Sequence, residues 1–529
     1  MWLFLSFWTW VVLSLFRPIR ANDLWWQLAS GRYIVAHHLF PSTDVFSLTC
    51  RGRPWIDFEW LYQVVLYSFY RMGSFIGIAF LKTALIAAAL VFLIRRLRQA
   101  GIPELGAYVF ATIVFAACAA NWSERADLIS IALVSTFMQT MEGIRTGRKA
   151  PRRLWGWIAV FFIWANAHAG FVVGLGIATF YGIEFARAGR LKKSQVVLWL
   201  LGLWSVTLLN PYGLNLWKQI LHSLLLVSKA DQMEFLPPPF ARMSIFWMAL
   251  VLQLLFLARS IEKKQPLPWI ALTLFALLGY QAIRHARFVI FFMFAAFPFG
   301  VESICEDLKK MTVNHTINLW AGGVFALLAL SQIPSVGFGQ NPLRVPVEAC
   351  NFLEAQQIRG RFFIDFDFGS YWVWRFNGDP PVFVDGRSST VDGYTEIRRQ
   401  IYQAETGSPT AWRMFLDRYA FTATVIRCPA PAAGSSRLAE NFPKSQWALI
   451  YWDDLALLFI KRSAYPASRI KELEFHCIEP DRQPNDLAAE AARNPEERSC
   501  LEKDVMRNRQ LHPLSQRTQE FEAALQAHG

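Results

Sequence analysis

The chain has 529 residues and is 54% hydrophobic, 15% aromatic and only 18% charged. Soluble domains run at about 45–50% apolar and about 25% charged, so a disordered chain, a coiled coil and an ordinary soluble enzyme are excluded. The net charge of +13 is unevenly spread: residues 1–339 hold 30 Lys+Arg against 15 Asp+Glu, and residues 340–529 hold 23 against 25. Positive charge concentrated in the apolar part reports membrane orientation rather than nucleic-acid binding.

Apolar runs separated by basic clusters fill residues 1–334. The candidate spans are 2–16, 74–94, 105–120, 126–142, 154–167, 170–186, 194–209, 243–259, 267–283, 287–301 and 316–334. Several fall short of the ~20 residues one helix needs to cross a bilayer, so their ends must extend into amphipathic flanks. The first lacks a basic leader and a small-residue cleavage site, which favours a retained helix over a signal peptide.

The basic clusters fall at alternate connections: Arg95/Arg96/Arg98, Arg145 to Arg153, Arg187 to Lys193, Arg259/Lys263/Lys264 and Lys309/Lys310. The intervening short connections hold only Arg125, Lys218, Lys229, Arg242, Arg284 and Arg287. The positive-inside rule then predicts a cytoplasmic N-terminus, with 17–73 and everything after 335 outside. Three segments read as amphipathic helices lying in the interface: 23–36 and 56–71 in the first outer loop, and 214–227.

Residues 335–465 read as an extracytoplasmic α/β domain. Helices are expected at 345–357, 394–404 and 410–418, with strands at 362–364, 381–384, 421–426, 446–451 and 454–461. Residues 466–529 read as a polar helical or partly disordered tail. The expected fold class is thus a mainly α membrane protein with about 11 transmembrane helices, followed by that α/β domain. Seven cysteines occur without a CxxC pair; four lie beyond 340, where spacing does not decide a disulfide.

Polar residues that carry chemistry gather in the outer connections. Asp23 follows the first span at the water–lipid boundary, where apolar walls raise a carboxylate's basicity; it suits a general base, while a helix N-cap is the plainer reading. Asp57 and Glu59 lie among aromatics in WIDFEW, and Glu124 and Asp127 in the next outer turn. With Asp23, Asp57 and Glu124 would make a divalent-cation site for Mg2+ or Mn2+, since hard cations gather carboxylate oxygens; solvated polar faces are the plainer reading. His168, in the tight turn WANAHAG, suits a phosphate contact or a proton carrier, or a structural helix end. Arg284, His285 and Arg287 place three cationic groups in four residues at membrane depth, which fits a phosphate or lipid headgroups. Asp365, Asp367 and Tyr371, with Asp385 and Arg387 after the next strand, would form a carbohydrate or peptide pocket, or a strand-to-helix turn. No P-loop, GxSxG, HExxH or GxGxxG after a strand is present, so nucleotide-binding, hydrolase and zincin classes are disfavoured.

This layout resembles the GT-C superfamily of membrane glycosyltransferases. The resemblance rests on an inside N-terminus, an early Asp in a long first outer loop with interfacial helices, about eleven spans and an outer α/β domain. It implies a polyprenyl-phosphate-linked sugar donor, Asp23 as the catalytic carboxylate, and Arg284 and Arg287 as phosphate ligands. The stretch Asp365 to Trp372 is similar to the WWDYG element of the oligosaccharyltransferase catalytic subunit, with its tryptophans replaced. NDLWWQLASGRYI, WANAHAGF, LNPYG and FGSYWVWRF…VFVDGR are similar to a group of bacterial multi-span proteins of no settled activity, across nearly all of 20–465. The implied setting is a bacterial inner membrane with a periplasmic C-terminal domain; the acceptor is a glycan, lipid or protein, and nucleic acid is not a partner. A non-catalytic envelope scaffold is the alternative. A transporter is disfavoured because ionisable residues gather at the outer boundary and no repeated halves are visible.

Overall fold

The computed structural model describes residues 1–225, 235–264, 267–310, 314–387, 390–434 and 436–528. Lys229 and the last two residues of the expected 214–227 helix lie outside them. The chain divides into two compact units. The first comprises Met1–Ala21, Ser30–Phe40 and Ile56–Gly339; the second comprises Asn22–Ala29, Pro41–Trp55 and Gln340–Gly529.

The first unit is all helical. Every one of the eleven apolar segments forms helix, including Trp2–Leu15, Glu104–Ala117, Asp127–Arg145, Arg153–Ala167, Phe171–Arg187, Lys193–Val206 and Trp269–Arg284. Among the described residues four helices are long and apolar enough to cross a membrane on their own: Trp60–Gln99, Phe240–Glu262, Ala286–Ser303 and His315–Ser335. A 14-residue helix such as Trp2–Leu15 is about 21 Å long, short of a ~30 Å hydrocarbon core.

Trp60–Gln99 is two helices joined at a break, where Gly73 (φ −149°) and Ser74 (φ +50°) leave helical geometry. The break separates the amphipathic stretch expected at 56–71 from the apolar run after 74. The first and last apolar helices pack together: Phe7 meets Phe325 edge-on at 5.3 Å, and Gly322 leaves room for the Trp2 indole. At the end carrying the basic clusters, ion pairs tie neighbouring helices. Arg96 Nε reaches Glu302 Oε1 at 2.7 Å and Lys263 pairs with Asp307, whereas Arg145 pairs with Glu142 on its own helix at 2.8 Å.

The second unit is built on a four-stranded sheet of order β1-β2-β4-β3, with β1 Phe362–Ile364, β2 Ala423–Arg427, β3 Trp447–Trp452 and β4 Ala456–Lys461. β1 and β2 are parallel, and the other two pairs are antiparallel. Helices Val347–Ala355, Tyr394–Thr406 and Pro409–Arg418 stand where expected. The strand expected at 381–384 does not join the sheet. Val382 forms a single bridge to Ser47 instead. Pro380 and Pro381 offer no N–H to a ladder, and the Val384 carbonyl lies against Gly369, so this segment packs beneath a helix.

The chain after 466 forms four helices, Ala467–Leu473, Pro484–Ala491, Pro495–Leu511 and Gln516–Ala527. A Cys477–Cys500 disulfide clamps them. Asp454, after β3, caps the last helix by accepting from Ser515 Oγ (2.7 Å) and from the Gln516 and Arg517 amides (2.9 and 3.0 Å).

Candidate functional site

Asp23 opens the helix Asp23–His37 and is half-buried. Its Oδ1 accepts from the Trp26 indole at 3.3 Å, one turn along the same helix. The carboxylate lies over the backbone of Gly386: a Cβ there would stand 2.8 Å from Asp23 Oδ1, 2.9 Å from Ser370 Oγ and 3.0 Å from the Trp26 ring. Ser370 Oγ accepts from the Gly386 amide at 3.2 Å, and Tyr371 meets Trp25 edge-on at 5.0 Å. Burial pushes the Tyr371 phenol up to about 12. The second unit thus brings Asp23 to the FGSYW and DGR stretches, which start 345 and 362 residues further along the sequence. Ser370 and Gly386 were missed in the sequence. Their signal was the small residue inside each motif, which is where two backbones approach closely.

Asp385 and Arg387 do not line an open pocket, and that expectation is corrected. Both are fully buried. Arg387 donates bidentately to Asp385 (Nε–Oδ1 2.9 Å, Nη2–Oδ2 2.7 Å) and through Nη1 to Asp44 at 2.8 Å. Its guanidinium lies 4.6 Å from the Trp55 ring centroid, 5.0 Å from Phe46 and 5.8 Å from Tyr394. Burial opposes ionisation of Asp44, but the Arg387 charge and the Ser47 and Phe46 donors hold its carboxyl below the ordinary range. Two carboxylates and aromatic walls around one guanidinium make a scaffold joint beneath Gly386. Asp365 likewise caps the helix Phe366–Phe376, accepting from the Asp367 amide at 2.9 Å. Burial raises its pKa above the ordinary range. Its role is therefore the turn rather than a pocket. Asp367 is nearly half exposed and pairs with Arg427 at 3.2 Å.

The remaining candidates belong to the first unit, in the connections opposite the basic clusters. Asp57 is buried and accepts from Gln63 Nε2 at 2.6 Å. His168 Nδ1 accepts from the Gly170 amide (3.0 Å) and meets Ser130 Oγ at 2.8 Å, which leaves Nε2 as the N–H, 3.9 Å from Glu59 Oε1. Ser130 in turn accepts from the Trp164 indole at 2.7 Å, and Trp60 donates to Asn166 at 3.0 Å. The WANAHAG turn is thereby locked to the start of the Trp60–Gln99 helix.

Glu124 forms a buried pair with Lys82 at 2.6 Å. Among the described residues no three His, Cys, Asp or Glu side chains gather as a metal-holding group. Within the first unit Asp57 accepts from Gln63 and Glu124 pairs with Lys82. At the other turn, Arg284 is exposed, His285 Nδ1 lies 2.6 Å from the Phe235 carbonyl, and the Arg287 guanidinium stands 4.6 Å over the Phe235 ring.

No family model and no curated protein matches this sequence. Solved structures do match. The Archaeoglobus fulgidus oligosaccharyltransferase in its apo form aligns over 81% of this chain and 69% of its own, at 10% identity and TM-score 0.53. The same organism's oligosaccharyltransferase AglB, in complex with an inhibitory peptide and a dolichol-phosphate, aligns with the same coverage at 9% identity and TM-score 0.56. ArnT from Cupriavidus metallidurans, bound to undecaprenyl phosphate, aligns over 87% of this chain and 97% of its own, at 10% identity and TM-score 0.45. The two oligosaccharyltransferase likenesses show that four-fifths of the chain shares the fold of those structures.

Proposed function

We propose that the protein transfers a sugar from a polyprenyl-phosphate-linked donor to an acceptor at the outer face of the membrane. Asp23 takes the proton from the acceptor's hydroxyl or amide as that atom bonds to the anomeric carbon. The anomeric C–O bond breaks, and its electron pair leaves with the lipid phosphate. Arg284 and Arg287, with His285, neutralise that phosphate, and His168 stands as a further candidate contact. The observation that carries this reading is the seating of Asp23 over Gly386, beside Ser370 and Tyr371, within a GT-C fold.

The proposed topology is eleven crossings, a cytoplasmic N-terminus and an extracytoplasmic second unit, in a bacterial inner membrane. The alternating charge pattern supports it. So does the Cys477–Cys500 disulfide, since such bonds persist in oxidising compartments.

The test is thermal unfolding of the detergent-purified protein with undecaprenyl phosphate, wild type against Arg284→Ala/Arg287→Ala. Stabilisation of the wild type that the double variant loses is expected; no shift with any polyprenyl phosphate or pyrophosphate would sink the proposal. A second reading, a GT-C scaffold without catalysis, is favoured by the sealing of Asp385 and Arg387, which removes two charged groups from the expected acceptor pocket. Asp23→Asn separates the two. An enzyme loses transfer at unchanged stability, whereas a scaffold keeps its cellular role.

A further inference from the structure

Lys82 lies two turns beyond the Gly73/Ser74 break, on the apolar half of the helix Trp60–Gln99. A lysine in such a segment is costly, and it is kept only with a partner or a role. Its Nζ meets Glu124 Oε1 at 2.6 Å, and both side chains are 5% exposed. Glu124 is one of three carboxylates in this corner of the first unit. The Tyr62 hydroxyl feels Asp127, Glu124 and Glu59 together, and Arg125 with them. Glu124 faces the Lys82 cation and Asp127 faces Arg125 at 3.9 Å, while Glu59 lies 3.9 Å from Nε2 of the neutral His168.

A hard divalent cation takes several oxygen ligands at about 2.0–2.6 Å. These carboxylates do not converge on a common point among the described residues. Lys82 sits where the most buried of them would otherwise need a metal.

We propose that Lys82 is the resident counter-ion of this carboxylate corner and takes the place of a divalent cation there, as a positioning residue that holds the 121–127 turn through Glu124. Removing its charge leaves the buried Glu124 without its cation, and the corner then recruits a metal. The inference does not depend on the identity of donor or acceptor.

The test uses the full-length protein in detergent and Mn2+ as the probe, with free Mn2+ read by electron paramagnetic resonance and stability by thermal unfolding. The wild type is expected to bind no stoichiometric Mn2+ and to keep its Tm in a chelator. Lys82→Met is expected to lose several degrees of Tm, to bind Mn2+ and to regain part of the loss with it. Lys82→Met/Glu124→Gln should not bind Mn2+. Lys82→Gln, which keeps a hydrogen bond to Glu124 without the charge, replaces Lys82→Met if that variant does not fold. Stoichiometric Mn2+ on the wild type that Glu124→Gln abolishes would overturn the proposal. A folded Lys82 variant that gains no Mn2+ would overturn it as well.

Discussion

Arg387 shows how one residue can hold a joint. Its guanidinium is fully buried against Asp385 and Asp44, so truncation leaves two carboxylates buried without their cation. Losing one partner of such a network costs about 3–5 kcal/mol, and Arg387→Met is expected to lower the unfolding midpoint accordingly in thermal melts. Asp44 adds a pH dependence. Its folded pKa is depressed, so the stability it contributes is present above its unfolded value near 4 and is lost as pH falls through the lower folded value. Asp44→Asn should flatten that acid limb, measured as Tm between about pH 5 and pH 2.

Two glycines separate stability from function. A Cβ at Gly369 would meet the Val384 carbonyl oxygen at 2.1 Å, which is backbone and cannot yield. At Gly386 the Cβ would meet Asp23 Oδ1, Ser370 Oγ and the Trp26 ring, which are side-chain atoms that can move. Gly369→Ala is therefore expected to prevent folding of the second unit. Gly386→Ala should cost about 1–3 kcal/mol and displace Asp23, with a larger loss of the proposed transfer activity than of Tm. Equal behaviour of the two variants in melts would contradict this account.

At the scale of elements, the break in Trp60–Gln99 places a non-glycine residue, Ser74, at φ +50°. A left-handed conformation costs an L-residue roughly 1–2 kcal/mol, so Ser74→Gly should raise stability by about 1 kcal/mol, measured by thermal unfolding. The tail offers a second measurement. The disulfide joins residues 23 apart, and a loop of that size is worth about 3 kcal/mol. Cys477→Ser/Cys500→Ser should melt the second unit earlier.

Element positions were legible because their signals are local. The eleven apolar runs lie in helical segments of the described residues, since an apolar run out of reach of water must satisfy its backbone groups internally, as a helix does. The stretch 381–384 misled because Val382, Phe383 and Val384 read as strand by propensity, while the packing of Val384 against Gly369 was decided by a distant segment. Asp365 followed its plainer reading, a cap at a strand-to-helix turn.

For the molecule as a whole, the charge pattern makes a checkable statement about sidedness. Single cysteines placed at Arg148 and at Ser335 should label from opposite sides of intact spheroplasts with an impermeant maleimide. Labelling of both from one side would remove the proposed orientation. Composition, helix positions and the alternation of basic clusters were set by the sequence alone, because hydropathy and charge act residue by residue along the chain. The assembly of the second unit from 22–29, 41–55 and 340–529 was decided only by tertiary structure. So were the seating of Asp23 on Gly386, the burial of Arg387 and the pairing of Lys82 with Glu124. Each depends on which distant segment supplies the partner for a buried polar group, and that cost is settled by three-dimensional proximity rather than by spacing.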